Sequence, residues 1–136
     1  MVVKRLNAEP LKFKEAVDFI DEQLEKADCP MKTKVQIKVA AEEIFVNVAH
    51  YAYHQEVGEV EIRVEITENP KSAVITFSDS GKPFNPLDKP DPDITLSAEE
   101  RDIGGLGIFM VKNTMDDVRY EFVGGRNCLT ITKNLE

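Results

Sequence analysis

The stretch from about Lys34 to Tyr53 has the hydrophobic periodicity of a helix that is apolar over most of its surface. At about 100° per residue, one arc collects the side chains that would face a core: Ile37, Ala41, Ile44, Phe45, Val48, Tyr51 and Ala52. A second apolar group falls on another side of the helix: Val35, Val39 and Val46. The pattern therefore predicts a helix that is buried on two sides.

Polar residues interrupt this helix on a strip beside the core-facing arc. Glu43 and Asn47 lie one turn apart on that strip. A carboxylate beside apolar surface is costly unless it is paired, hydrogen-bonded or bound to a metal, so we expect a polar group or a ligand against Glu43. The alternative is the solvated border of an ordinary amphipathic helix, and the spacing of these two residues alone favours that alternative.

The other periodic segments are one more amphipathic helix and a set of strands. Apolar residues recur at helical spacing from Leu11 to Ala27, and Asp28-Cys29-Pro30 ends that helix. Short β-branched or alternating runs predict five strands: Val2 to Leu6, Val60 to Ile66, Ser72 to Ser78, Val118 to Phe122 and Cys128 to Lys133. Gly124-Gly125 predicts a hairpin turn between the last two.

Three segments between these elements could carry chemistry. Asp79-Ser80-Gly81 directly follows a predicted strand. Residues 86–103 show no sustained period, and a loop of this length is typical of a lid, a binding loop or disorder. Gly104-Gly105-Leu106-Gly107 opens a helix, where glycines allow close backbone approach and free N–H groups attract anions.

Composition narrows the class of protein. The 136 residues suffice for one domain, residues 1–136, with a single core. A net charge of −8 with scattered basic residues makes direct nucleic-acid binding unfavourable. Cys29 and Cys128 are isolated, which favours reduced packing residues over metal ligands. With no membrane-length apolar run and no signal peptide, we expect a cytoplasmic protein without membrane contact.

Magnesium-nucleotide binding explains the polar strip, the strand end and the glycine cluster together. Asp79 could accept a hydrogen bond from the exocyclic amine of adenine, with Gly81 letting the backbone pass close to the base; an Asx turn is the alternative for this pair. Asn47 could supply an oxygen to Mg²⁺, which favours few protein ligands plus phosphates and water. Glu43 could then accept the proton of the attacking hydroxyl.

The same three segments resemble the N, G1 and G2 boxes of the GHKL superfamily of ATPases, which includes the gyrase, heat-shock chaperone, histidine kinase and MutL types. Within it, the chain is most similar to the bacterial anti-sigma factor serine kinases. The motifs are E-x-x-x-N at Glu43 to Asn47, D-S-G-K-P-F at Asp79 to Phe84, and G-G-L-G-I-F-M-V-K-N-T-M-D-D-V at Gly104 to Val118.

The resemblance implies an α+β two-layer sandwich of the Bergerat ATP-binding type, with helices on one face of a mixed, mostly antiparallel sheet and a lid at residues 86–103. It implies ATP and Mg²⁺ as cofactors, Glu43 as the catalytic base and Asn47 as the metal ligand. The nucleotide-binding residues would be Asn47, Asp79, Gly81, Phe84, Gly104, Gly105, Leu106, Gly107 and Ile108. Cys128 falls near the position where relatives often use Thr for a water-mediated adenine contact.

The activity that the resemblance implies is transfer of the γ-phosphate of ATP to a serine or threonine of an anti-sigma factor antagonist protein. The partners would be that antagonist and a sigma factor, so the chain would regulate transcription through proteins; a homodimer stays open. The alternative function is an ATP-binding module that sequesters a partner without phosphoryl transfer. A histidine kinase is disfavoured because no extra helical segment presents a phospho-accepting histidine.

Overall fold

Five strands form one antiparallel sheet in a computed structural model of the chain, which describes residues 1–51, 58–88 and 105–136. The strands are β1 (Val2–Asn7), β2 (Glu59–Thr67), β3 (Ser72–Asp79), β4 (Asp117–Val123) and β5 (Arg126–Asn134). Their order across the sheet is β1-β2-β3-β5-β4, and all four pairings are antiparallel. β3 is therefore the central strand.

Alternation along the strands sends one set of side chains into the core. Ile62 of β2 lies opposite Phe77 of β3, which lies opposite Leu129 of β5, and all three are buried. The β4–β5 hairpin turns at Gly124 and Gly125, whose φ angles of 61° and 76° fit a two-residue turn that glycine adopts without strain. The turn fixes the register of β4 against β5, with Val123 opposite Arg126.

Helices cover one face of this sheet. They are α1 (Phe13–Lys26), α2 (Met31–Tyr51) and α3 (Gly105–Thr114), with short 3₁₀ turns at Pro10–Lys12 and Pro86–Asp88. The core between the layers includes Ile20 and Leu24 of α1 and Ile44 and Phe45 of α2, none of which is exposed to solvent. The predicted α+β two-layer sandwich is confirmed.

The central helix begins earlier than the sequence pattern indicated. α2 starts at Met31, not near Lys34, because the Pro30 carbonyl accepts the first helical hydrogen bond from the Lys34 amide at 2.9 Å. Proline lacks an amide hydrogen, so a position before the first helical residue costs it nothing. The buried Lys34 ammonium pairs with Glu25 and Asp21 and so ties α2 to α1.

The prediction that both apolar sides of α2 are buried is wrong for the described part of the chain. Val35 and Val39 are 51% and 42% exposed, although both belong to the second apolar group of the helix. Periodicity places a side chain on a face, but the packing of a second element decides how far that face is buried, and these two valines line an open groove between α2 and α3. As for membranes, no helix within the described ranges is both long enough and apolar enough to cross one.

Candidate nucleotide site

Asp79 ends β3 as a buried carboxylate on the core-facing side of the sheet. It continues the alternation of Ile75 and Phe77 and is only 3% exposed. Its Oδ1 accepts hydrogen bonds from the Gly81 amide and from Asn127 Nδ2, each at 2.9 Å. Because both bonds end on Oδ1, Oδ2 keeps its capacity to accept a hydrogen bond from a ligand.

The Asp79–Gly81 hydrogen bond is an Asx turn, the alternative that the sequence left open for this pair. The turn does not use up the carboxylate, since an ionised Asp offers about four acceptor positions on two oxygens. A surface Asx turn would not need burial, whereas Asp79 occupies a position where an apolar residue would continue the core. The turn and a ligand contact are therefore compatible.

Asn127 connects β5 to the end of β3 and to the loop that follows it. It is not among the site residues predicted from the sequence. Its Nδ2 donates to Asp79 Oδ1 and, at 2.9 Å, to the Lys82 carbonyl, with a longer bond of 3.4 Å to the Gly81 carbonyl. Its Oδ1 accepts from the Phe84 amide at 3.1 Å and from the Tyr120 hydroxyl. Asn127 itself is 5% exposed.

Cys128, which lies near the position where relatives often use Thr, is not the β5 residue that contacts Asp79. Asn127 is the residue opposite Asp79 in the β3–β5 register, while Cys128 lies opposite Ser78, with Sγ 3.6 Å from Ser78 Oγ. Successive strand residues point to opposite faces, so a shift of one position moves the side chain out of the site. Counting from the Gly124-Gly125 turn with the alternation of Leu129 and Ile131 would have identified Asn127.

Asp79 and Asn127 form the polar end of a pocket between the sheet, α2 and α3. The empty space of the pocket, including its open mouth, is about 380 Å³. Its apolar lining is contributed by Ile44, Val48, Phe77, Phe84, Pro86, Ile108 and Leu129. An apolar pocket with a few fixed polar groups suits a flat heterocycle with a hydrogen-bonding edge.

Asn47 lines the same pocket from α2 and is 9% exposed. Its Nδ2 donates to the Glu43 carbonyl one turn earlier, at 2.8 Å. The amide is thereby oriented with Oδ1 as the group available to a cation. Among the described residues, no three His, Cys, Asp or Glu side chains cluster as a metal site, so Mg²⁺ held here would take its other ligands from phosphates and water.

Glu43 lies one turn before Asn47 and faces α3. Its carboxylate occupies the space where Gly107 has no side chain: a Cβ on Gly107 would overlap Glu43 Oε2 and lie 2.7 Å from Cδ. Burial, and then the neighbouring Glu42 carboxylate, raise the pKa of Glu43 above its usual value. A raised pKa makes the carboxylate a better proton acceptor than a solvated Glu.

The predicted phosphate segment is described only from Gly105 onward. Gly105, Leu106 and Gly107 form the first turn of α3, whose leading amides have no partner within the helix. Ile108 lies in the pocket wall. Gly104 and most of the predicted lid lie outside the described residues.

The structure thus brings Asn47, Asp79, Phe84 and Ile108 to one pocket, with Glu43 and Gly107 in contact beside it. Residues 6–133 match the sequence model of the histidine kinase-like ATPase domain. The chain belongs to this family. Membership in an ATPase family makes ATP the expected ligand.

Relatives within the histidine kinase-like ATPase family include serine-protein kinases RsbW of Bacillus. The protein from Bacillus cereus strain AH820 is 31% identical over 85 residues, which are 61% of this chain and 53% of that protein. The protein from Bacillus thuringiensis strain Al Hakam is 31% identical over the same length. The chain therefore spans about half the length of the curated relatives it matches.

Solved structures of the family share the fold. The RsbU and RsbW domains of Rv1364c from Mycobacterium tuberculosis superpose with a TM-score of 0.69 over 99% of this chain and 33% of that one, at 14% identity. The histidine kinase domain of a blue-light activated kinase from Erythrobacter litoralis gives a TM-score of 0.57 over 78% of this chain and 46% of that one, at 16% identity. At these identities the likeness concerns the fold alone.

Proposed function

We propose that this chain is an anti-sigma regulatory protein serine/threonine kinase. It binds Mg-ATP, transfers the γ-phosphate to a serine or threonine of an antagonist protein and thereby controls the sequestration of a sigma factor. The observation that carries the proposal is the convergence of a buried carboxylate, an oriented amide and a carboxylate of raised pKa at one end of the fold, in Asp79, Asn47 and Glu43.

The pocket fits the adenine end of ATP. Asp79 Oδ2 accepts a hydrogen bond from the exocyclic amine, while Oδ1 stays engaged by Gly81 and Asn127. Apolar side chains such as Phe84 and Ile108 pack against the base. A buried acceptor discriminates well because it is left unpaired when the ligand lacks the matching donor.

The phosphates extend from this pocket toward α2 and the start of α3. Asn47 gives an oxygen to Mg²⁺, which neutralises phosphate charge when it is bound. The amides of Gly105, Leu106 and Gly107, which lead α3, are the phosphate donors, since the first amides of a helix attract anions. Gly104 is assigned to the same phosphate segment from its place in the sequence.

Glu43 is the general base of the transfer. Its carboxylate takes the proton of the acceptor hydroxyl, whose oxygen bonds to the γ-phosphorus as the bond to the bridging oxygen of the β-phosphate breaks and ADP leaves. Its raised pKa, which follows from burial, suits that role. The carboxylate reaches this position because Gly107 leaves the space for it.

Asp79→Ala is expected to weaken ATP binding about tenfold to a hundredfold, since the buried adenine amine loses its acceptor. Isothermal titration with Mg-ATP measures the change. The control is Asp117→Ala, which removes a half-exposed Asp whose partner is the exposed Arg119 on the same strand. Equal ATP affinity in wild type and Asp79→Ala, with both proteins folded by circular dichroism, would remove Asp79 from the adenine site.

Phosphorylation of the antagonist is expected to release it from this chain. The chain carries a net charge of −8, and a phosphoserine adds nearly two negative charges, which an acidic partner surface repels. A pull-down with a candidate antagonist, unmodified and phosphorylated, in ATP and in ADP checks this. Retention that is indifferent to both the nucleotide and the phosphate would favour the alternative of a sequestering module without phosphoryl transfer.

A further inference from the structure

Asn127 makes hydrogen bonds to five residues of the pocket region. One buried amide contacts the carboxylate of Asp79, the carbonyls of Gly81 and Lys82, the amide of Phe84 and the hydroxyl of Tyr120. Each of its two polar atoms serves different partners. Asn127 therefore connects the predicted base acceptor, the loop that follows β3 and the neighbouring strand β4.

We propose that Asn127 is the positioning residue that makes this site selective for a nucleobase with an exocyclic amino group. The inference rests on the proposed nucleotide site and adds to it the residue that fixes the base acceptor. Asn127 does not itself need to touch the base: it acts through Asp79.

The Nδ2 group of Asn127 fixes the orientation of the Asp79 carboxylate. Nδ2 binds Oδ1 at 2.9 Å, and the Gly81 amide binds the same oxygen at the same distance from another direction. Two donors on one oxygen fix the orientation of the carboxylate, so Oδ2 faces the ligand as the acceptor. A base with a carbonyl oxygen at this position would present a lone pair to that carboxylate and leave it unpaired.

The Oδ1 atom of Asn127 holds two residues of the pocket wall in place. Oδ1 receives the Phe84 amide at 3.1 Å and the Tyr120 hydroxyl, and the side chains of both residues line the pocket. The loop after β3 carries Lys82-Pro83-Phe84, and Asn127 fastens it to β5 through the Lys82 carbonyl and the Phe84 amide. One side chain thus fixes both the polar acceptor and an apolar wall.

Asn127→Asp separates the donor role of Nδ2 from the acceptor role of Oδ1, because Asp has nearly the same shape as Asn. Asp keeps an oxygen for the Phe84 amide and the Tyr120 hydroxyl, but it replaces the donor to Asp79 with a second carboxylate. Two adjacent carboxylates repel until they share a proton, and the ionisable groups lining the pocket within the described residues are otherwise limited to the Tyr120 phenol. The substitution therefore removes the donor to Asp79 and to the Gly81 and Lys82 carbonyls, while the bonds from the Phe84 amide and the Tyr120 hydroxyl are retained.

The experiment compares ATP with purine riboside triphosphate, which has hydrogen in place of the amino group, by titration of the full chain with Mg²⁺ at neutral pH. Wild type is expected to prefer ATP about tenfold to a hundredfold. Asn127→Asp is expected to lose that preference through weaker ATP binding, with purine riboside triphosphate binding little changed. As the pH falls and the two carboxyls share a proton, ATP affinity in this variant should recover.

Asn134→Asp is the matched control, since it makes the same chemical change at the far end of β5. Asn134 Oδ1 accepts from the Glu136 amide, a bond that Asp retains, and wild-type preference is expected. Asn127→Ser, which places no charge beside Asp79, should lose the preference too and keeps the test open if Asn127→Asp unfolds.

Equal weakening of both nucleotides in the Asn127 variants would show that Asn127 only shapes the loop, and would overturn the inference while leaving the proposed function in place. A wild type that binds both nucleotides equally would overturn it as well. A wild type that binds neither would instead overturn the proposed nucleotide site, on which this inference depends.

Discussion

Glu43→Gln is expected to bind Mg-ATP with wild-type affinity and to transfer phosphate about 10²–10⁴-fold more slowly, the usual contribution of a positioned general base. Gln has nearly the same shape as Glu, so it still fits against Gly107. It cannot accept a proton from the acceptor hydroxyl. The measurement is transfer of labelled γ-phosphate to a candidate antagonist under saturating ATP, with affinity titrated on the same preparation.

The stability of Glu43→Gln provides an independent check on the state of this carboxylate. Burial raises the pKa of Glu43 in the folded protein, so the folded state binds the proton more tightly than the unfolded chain. By linkage, the free energy that this protonation contributes is present below the unfolded pKa of about 4.3 and is lost as the pH rises through the higher folded value.

Glu43→Gln should therefore be more stable than wild type at neutral pH, with the difference disappearing in acid. Denaturant unfolding at several pH values measures it. Glu65→Gln is the control, because Glu65 is exposed on β2 and is not among the groups that raise the pKa of Glu43. A wild-type rate of transfer in Glu43→Gln would mean that the proton has another acceptor.

Gly107→Ala is expected to fold normally and to lose phosphate transfer almost as completely as Glu43→Gln. The new Cβ would occupy the position of the Glu43 carboxylate, and the flexible end of that side chain can swing away at little cost in stability. Alanine also favours a helix by about 1 kcal/mol over glycine. We therefore expect equal or greater stability together with a displaced base.

A double-mutant cycle distinguishes displacement of Glu43 from a direct clash with phosphate. If Gly107 acts through Glu43, ATP affinity is retained in Gly107→Ala while the rate constant of transfer falls. In a Glu43→Ala background, where the carboxylate is absent, Gly107→Ala should then cause no further loss. A large fall in ATP affinity in both backgrounds would assign Gly107 to phosphate binding instead.

Asn127 lies one residue before Cys128, the position near which the resemblance places an adenine contact. The sequence predicted the hairpin at Gly124-Gly125 and a strand after it, and the structure has both. The resemblance points near Cys128, whereas the register across β3 places Asn127 opposite Asp79. Val35 and Val39 are only partly buried for a related reason: a periodic pattern does not reveal how closely a neighbouring element packs.

The sequence by itself determined the local order of this protein. Alternating residues gave β2 and β3, helical spacing gave α1 and α2, and the motifs around Glu43, Asp79 and Gly107 indicated nucleotide chemistry. Each of these depends on residues near one another along the chain. The tertiary structure alone decided that Asn127 lies 2.9 Å from Asp79, 48 positions away, and that the Glu43 carboxylate lies against Gly107. Such contacts follow from strand register and helix packing, where a shift of one residue turns a side chain to the opposite face.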